Sequence, residues 1–222
     1  MKIFNLLLLA FLLVITVSTY KPLVAGEQKW HLTYETGGIK VYRRVTEGSK
    51  FFAFKAVGNL RGKTSDFVSI IFDIENLPNW VPRCLEARKI EVINDREFIV
   101  YSAYAGVWPA ADRDYAAKLS ITSDPEIPKV RADIERIDLP DSIPLDTDRV
   151  QIPFLKSYWT FEQISRDLTR VELCAHADPG GWIPAWLVNW GYRKIPYQFL
   201  INLESQVAKR LNRTSTIANI SQ

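Results

Sequence analysis

The sequence predicts an α+β fold in which one large antiparallel β-sheet faces one long C-terminal α-helix. Three observations carry this. Short runs of alternating apolar and polar residues, separated by turn signals, follow one another from Gly37 to Asp178. After Asp178-Pro179-Gly180-Gly181 the apolar spacing switches from two to three or four. No repeat, low-complexity block or Gly/Ser linker divides the chain, and 222 residues at 47% hydrophobic support one sizeable core.

The N-terminal stretch MKIFNLLLLAFLLVITVSTYKPLVAG reads as a secretory signal peptide over residues 1–26. Lys2 precedes an unbroken apolar run, and Ala25 and Gly26 are small. The run is short for a membrane span, which needs roughly 20 apolar residues. An uncleaved anchor is the alternative. The expected setting is exported, periplasmic or extracellular.

The domain is expected over residues 27–211. Gly37–Val45 and Phe51–Gly58 read as strands around a turn at Glu47-Gly48-Ser49. Thr64–Ile74 reads as a short helix, with Thr64 or Ser65 as cap and Asp66 favouring its first turn. Pro78 and Pro82 break the segment that follows. Strands come next at Glu86–Ile93, Arg96–Tyr104, Arg113–Ile121, Lys129–Ile137, Phe154–Ile164 and Leu168–Asp178. Pro184 is placed to open the terminal helix. Its apolar face reads Val188, Tyr192, Ile195, Phe199, Leu203, Val207, Leu211, with a kink expected at Pro196. Residues 212–222 are expected to form a flexible tail.

Charge excludes one class of partner. Loss of the leader removes Lys2 and Lys21 and no acid, so the net charge falls from +3 to +1. A near-neutral chain has no electrostatic footprint for nucleic acid, and any membrane contact must be local. A monomer is expected.

Catalytic patterns are sparse. There are two histidines, His31 and His176, no G-x-S-x-G and no cysteine pair at metal spacing. No cofactor or metal is expected. Cys84 and Cys174 are expected to remain free thiols.

The sheet's apolar faces carry more information. Arg113 heads a face that continues Tyr115, Ala117, Leu119, Ile121. Leu155, Ser157, Trp159, Phe161 and Val171, Leu173, Ala175, Ala177 form two others. Small residues alternate with aromatics, which suits either a packed core or enclosed space for a ligand. A buried arginine must be paired, because an isolated buried charge is costly. Asp112, Asp114 or a carboxylate on a facing strand could serve. Its role is either a salt bridge that fixes the loop or a polar anchor for a lipid head group.

Several ordered motifs resemble the START family, the steroidogenic-acute-regulatory-protein-related lipid-transfer domains. They are Asp73…Trp80-Val81-Pro82, Trp108-Pro109…Asp112-Arg113-Asp114, Trp159, and the run from Asp178-Pro179-Gly180-Gly181-Trp182 to Asn189. The resemblance spans about Trp30 to Leu211. It implies the helix-grip fold, a curved antiparallel sheet gripping the C-terminal helix over a hydrophobic tunnel. It makes 105–112 the loop that gates the tunnel with that helix, with Trp108 at the lid. Arg113 and Asp114 match the family's Arg-Asp pair at the base of that loop. The strand lacks the second, deeper arginine of sterol-transfer members.

With that resemblance, the expected function is non-enzymatic binding and transfer of a lipid or other hydrophobic molecule, with transient contact at a membrane surface. The expected ligand-contacting residues are Tyr101, Tyr104, Trp108, Arg113, Tyr115, Trp159, Phe161, Tyr192 and Phe199. The alternative is a cyclase or hydrolase acting on a hydrophobic substrate in the same space.

Overall fold

A computed structural model describes residues 29–123, 126–141, 143–144 and 146–220. The expected leader, residues 1–26, lies outside the described residues.

Ten strands form one curved sheet: β1 (His31–Thr36), β2 (Ile39–Arg44), β3 (Ala53–Arg61), β4 (Cys84–Asn94), β5 (Glu97–Tyr104), β6 (Asp112–Ser123), β7 (Lys129–Ile137), β8 (Arg149–Gln151), β9 (Phe154–Ser165) and β10 (Leu168–Asp178). The order is β1-β2-β3-β10-β9-β7-β6-β5-β4, and every pairing along it is antiparallel. The short β8 lies off this path and pairs in parallel with Asp112–Asp114 of β6.

Among the described residues are three helices: α1 (Thr64–Phe72), α2 (Ala185–Gly191) and α3 (Ile195–Ile220). A 3-10 turn, Ile74–Asn79, follows α1 where Pro78 bars an α-helix. Phe67 and Ile70 of α1 and Leu200, Leu203 and Val207 of α3 are at most 2% exposed, so both helices bury one face in the hollow of the sheet.

Several boundaries differ from the sequence pattern, each for a physical reason. The cap of α1 is Lys63, whose N–H is held by Asp66 Oδ2 at 3.0 Å. The terminal helix is two helices separated by Tyr192–Lys194. Pro196 therefore starts α3 rather than kinking it, where its missing N–H costs nothing. The buried face of α3 runs through Leu200, while Leu211 is 50% exposed. The helix also continues through Ile220, into the segment expected to be a tail. No Gly or Pro interrupts 197–220, so nothing in that stretch stops propagation.

Two strands escaped the sequence pattern. β1 is joined to β2 by Gly37-Gly38, whose φ values of +55° and +78° suit a two-residue hairpin turn. That dipeptide was the available signal. β8 has only three residues and no alternation to read.

Strand directions sort the loops into two ends. The 105–111 loop, the turn before β3, the start of β4 and the turn after β10 share one end. Cys84 and Cys174 are free thiols on β4 and β10, with four strands between them in the sheet.

Candidate functional site

The inner face of the sheet, the α1–3-10 segment and the start of α3 enclose a cavity of about 280 Å³. Period-two alternation decides what each strand contributes. β5 turns Val100, Ser102 and Tyr104 inward, and β6 turns Tyr115 and Leu119 inward. β9 adds Leu155, Ser157 and Trp159, while β10 adds Leu173, Ala175 and Ala177. The helical side supplies Ile74, Leu77, Trp80, Tyr192, Ile195 and Phe199. Among the described residues, no Asp, Glu, Lys, Arg or His lines this cavity.

Of the residues expected to meet a ligand, Tyr104, Tyr115, Trp159, Tyr192 and Phe199 line it. Tyr104 and Tyr115 stack with ring centroids 5.8 Å apart, and their hydroxyls lie 3.3 Å from each other. Both rings keep some accessible surface, yet burial is the main cause that pushes both phenols above their ordinary pKa. The two facts agree if the accessible surface faces the cavity. Burial likewise pushes Tyr192 up to about 12. These hydroxyls are neutral at physiological pH.

The other four expected residues lie elsewhere. Tyr101 is a correction: it alternates to the outer face, where it packs with Ala103 beneath Ile143 and Leu139. A strand places residues of opposite parity on opposite faces, so Tyr101 and Tyr104 cannot share a site. Phe161 is inward but 1% exposed, stacked between Trp159 and Phe67 beyond the cavity wall. Trp108 is 90% exposed at the loop tip and does not reach the cavity lining.

Arg113 also stays out of the lining. It is buried, and its guanidinium donates to the Ala111 carbonyl. A Cβ on Gly181 would come within 3.9 Å of Nη2. Its Nε has no hydrogen-bond partner. The carboxylate partner expected for it is not found among the described residues. Burial lowers its pKa more than the nearby Asp112 charge raises it. Arg113 thus latches the end of the 105–112 loop beside the Gly180-Gly181 turn.

Other residues hold that loop. Asp112 Oδ1 accepts from Gly106 N–H at 2.8 Å. Arg83 donates to the carbonyls of Ala105, at 2.8 Å, and Gly106. Arg83 has φ of +65°, uncommon for a residue with a Cβ. From below, β8 stitches Arg149–Gln151 onto Asp112–Asp114. Asn189 of α2 accepts from Phe52 N–H at 3.0 Å and donates to the Lys50 carbonyl at 3.1 Å, fixing α2 at the same end. No residue of α2 is buried, and Trp182, Trp186 and Trp190 are 86%, 71% and 67% exposed. Their spacing of four was present in the sequence, but only exposure separates such a stripe from a core face.

The START domain family profile matches residues 19–204, and the chain belongs to that family. Human ceramide transfer protein is 29% identical over 84% of this chain, which spans 33% of that protein's length. The crystal structure of a STAR-related lipid transfer protein from Xanthomonas axonopodis superposes with a TM-score of 0.73 at 29% identity, covering 81% of this chain and 98% of that one. A Streptomyces aromatase/cyclase shares the fold alone, with a TM-score of 0.52 at 9% identity over 72% of this chain and 94% of its own.

Proposed function

We propose that this protein binds a lipid or other hydrophobic small molecule in the cavity and carries it between membranes without chemical change. The observation that carries this reading is the apolar cavity, lined among the described residues by no charged group, with Tyr104 and Tyr115 of its lining flanking the tryptophan-tipped loop. Apolar burial supplies the affinity, at roughly 25 cal/mol per Å² removed from water. The 105–112 loop and α2 form the gate. The relatives named for lipid transfer support carriage over turnover.

The exposed Trp108, Trp182, Trp186 and Trp190 form the membrane-facing surface of that gate. Indole rings suit the headgroup level, where one edge is apolar and the other wet. Docking there opens the cavity toward the bilayer and keeps the ligand out of water. Among the described residues no helix is long and apolar enough to cross a membrane, which leaves contact at the surface to this face.

Catalysis of a hydrophobic substrate has little to work with in this cavity. Acid–base chemistry near neutral pH needs a group poised there, and the lining offers hydroxyls whose pKa values burial has raised. Tyr101 and Arg113 do not reach it.

The expected leader, residues 1–26, supports carriage outside the cytosol. A reporter fused to residues 1–26 is expected to be exported, and retention in the cytosol would end that part of the reading. For the carrier itself, native mass spectrometry of the purified chain should find an intact hydrophobic passenger. Movement of a fluorescent lipid between vesicles should accelerate with added protein. A chain that accelerates no lipid, or that returns a chemically altered one, refutes carriage.

A further inference from the structure

We propose that the ligand has an uncharged head bearing hydrogen-bond acceptors, such as an acylglycerol or a fatty acyl amide, seated on the hydroxyls of Tyr104, Tyr115 and Ser102. This rests on the carrier reading above and specifies the chemistry of its cargo.

Three observations lead there. The first is electrostatic. Among the described residues, no ionisable carboxylate, amine, guanidinium or imidazole lines the cavity. Arg113, the cross-strand partner of Tyr104, is spent on the loop backbone. A phosphate or quaternary ammonium drawn inside would meet no countercharge, and an unpaired charge in an apolar interior is strongly disfavoured.

The second is a count of donors. The Tyr104 and Tyr115 hydroxyls bond each other, which uses one of their two protons. The Cys84 sulfur lies against the Tyr104 hydroxyl, so an entering acceptor takes the second proton in competition with a weakly accepting thiol. Ser102 sits against both phenols from the neighbouring position of β5. Trp80 also lines the cavity, is 4% exposed, and its indole N–H has no partner. A buried donor left unmade is costly, so the site is built to be completed by an acceptor. Carbonyl, ester and hydroxyl oxygens supply one without adding charge.

The third is position. Ser102 pairs with Tyr115, and Tyr104 with Arg113, so the hydroxyl cluster lies just inside the latch of the gate. The wall away from that latch is apolar, with Val100, Leu119, Ile134 and Trp159. The ligand therefore lies head toward the gate and chain inward. The volume is near the lower end of the roughly 300–1,000 Å³ range of ligand pockets, which fits one chain.

The test is calorimetric titration of the purified chain, below micelle formation, with four probes of equal acyl length. Two are uncharged, monolauroylglycerol and lauroyl ethanolamide. Two carry fixed charges, lauroyl lysophosphatidylcholine and lauroyl lysophosphatidylglycerol. The uncharged pair is expected to bind about a hundredfold tighter or more. Tyr104→Phe with Tyr115→Phe keeps both rings and is expected to weaken monolauroylglycerol about three- to tenfold. If that double variant does not fold, Ser102→Ala tests the same cluster with the smaller loss expected of one hydroxyl. Charged probes that bind as well as uncharged ones overturn this inference and leave carriage standing. Unchanged affinity in the folded hydroxyl variants overturns the head-group seat. Binding of none of the four overturns both readings.

Discussion

The Tyr101 hydroxyl donates a 2.8 Å hydrogen bond to Asp114 Oδ2 on the outer face of the sheet, turned away from the cavity. Arg149 donates to the same hydroxyl at 2.9 Å and pairs with Glu86 at 2.6 Å. This chain of contacts ties β8 to the strands that flank the 105–112 loop.

Tyr101→Phe should therefore act on stability and not on binding. The Asp114 carboxylate is 1% exposed and its Oδ1 already has no partner. Removing the bond to Oδ2 is expected to cost about 1–3 kcal/mol, read as a lower urea midpoint. Ligand affinity should be unchanged. Lost binding at unchanged stability would return Tyr101 to the site.

Trp108 and Trp159 should separate gate from core. Trp108→Ala removes a ring that is 90% exposed, so the melting temperature should stay near native while vesicle-to-vesicle transfer slows. Trp159 is 4% exposed and meets Trp80, Phe161 and Phe199. Trp159→Ala should cost roughly 3–5 kcal/mol and lower the melting temperature by many degrees. A Trp108→Ala protein that unfolds, or that transfers lipid at the native rate, removes Trp108 from the lid.

Arg113→Met tests the latch. The guanidinium is buried with its Nε unpaired, so an apolar side chain of similar length should leave stability unchanged or raise it. The 105–112 loop should lose its hold and be cut sooner in limited proteolysis. A large drop in melting temperature would mean that Arg113 is a structural ion pair after all.

Alkaline pH should loosen the gate end of the cavity wall. Burial raises the Cys84 thiol from its ordinary 9.0 to about 11. The unfolded chain ionises this thiol first, so its contribution is fully present below pH about 9 and is lost as pH rises toward about 11. Tyr101 and Tyr192, each raised to about 12, add to the fall above pH 10. Cys84→Ala should flatten the first part of this decline in a series of melting curves. An identical decline in wild type and variant would show that the thiol plays no part. Titration of the denatured chain should find both thiols free, given their separation in the sheet.

Much of this architecture was legible before any coordinates. Period-two alternation placed seven long strands and one helix face, because burial on one side of a pleated sheet writes itself into every second residue. The same alternation put Arg113 at the head of an inward face and Tyr115 and Trp159 behind it, where they stand. Tyr101 and Tyr104 differ in parity on β5, so only Tyr104 stands on the inward face. What the alternation could not supply was pairing between distant elements. That Arg113 holds backbone and not a carboxylate depends on the return of the Gly180-Gly181 turn to the loop. That Trp182, Trp186 and Trp190 point outward depends on α2 resting on the 50–52 turn through Asn189 alone among its side chains' hydrogen bonds. Local sequence sets which face of an element is apolar. Whether that face is filled, left hollow or left bare is decided by what the rest of the chain brings against it, and burial is a property of the assembled fold.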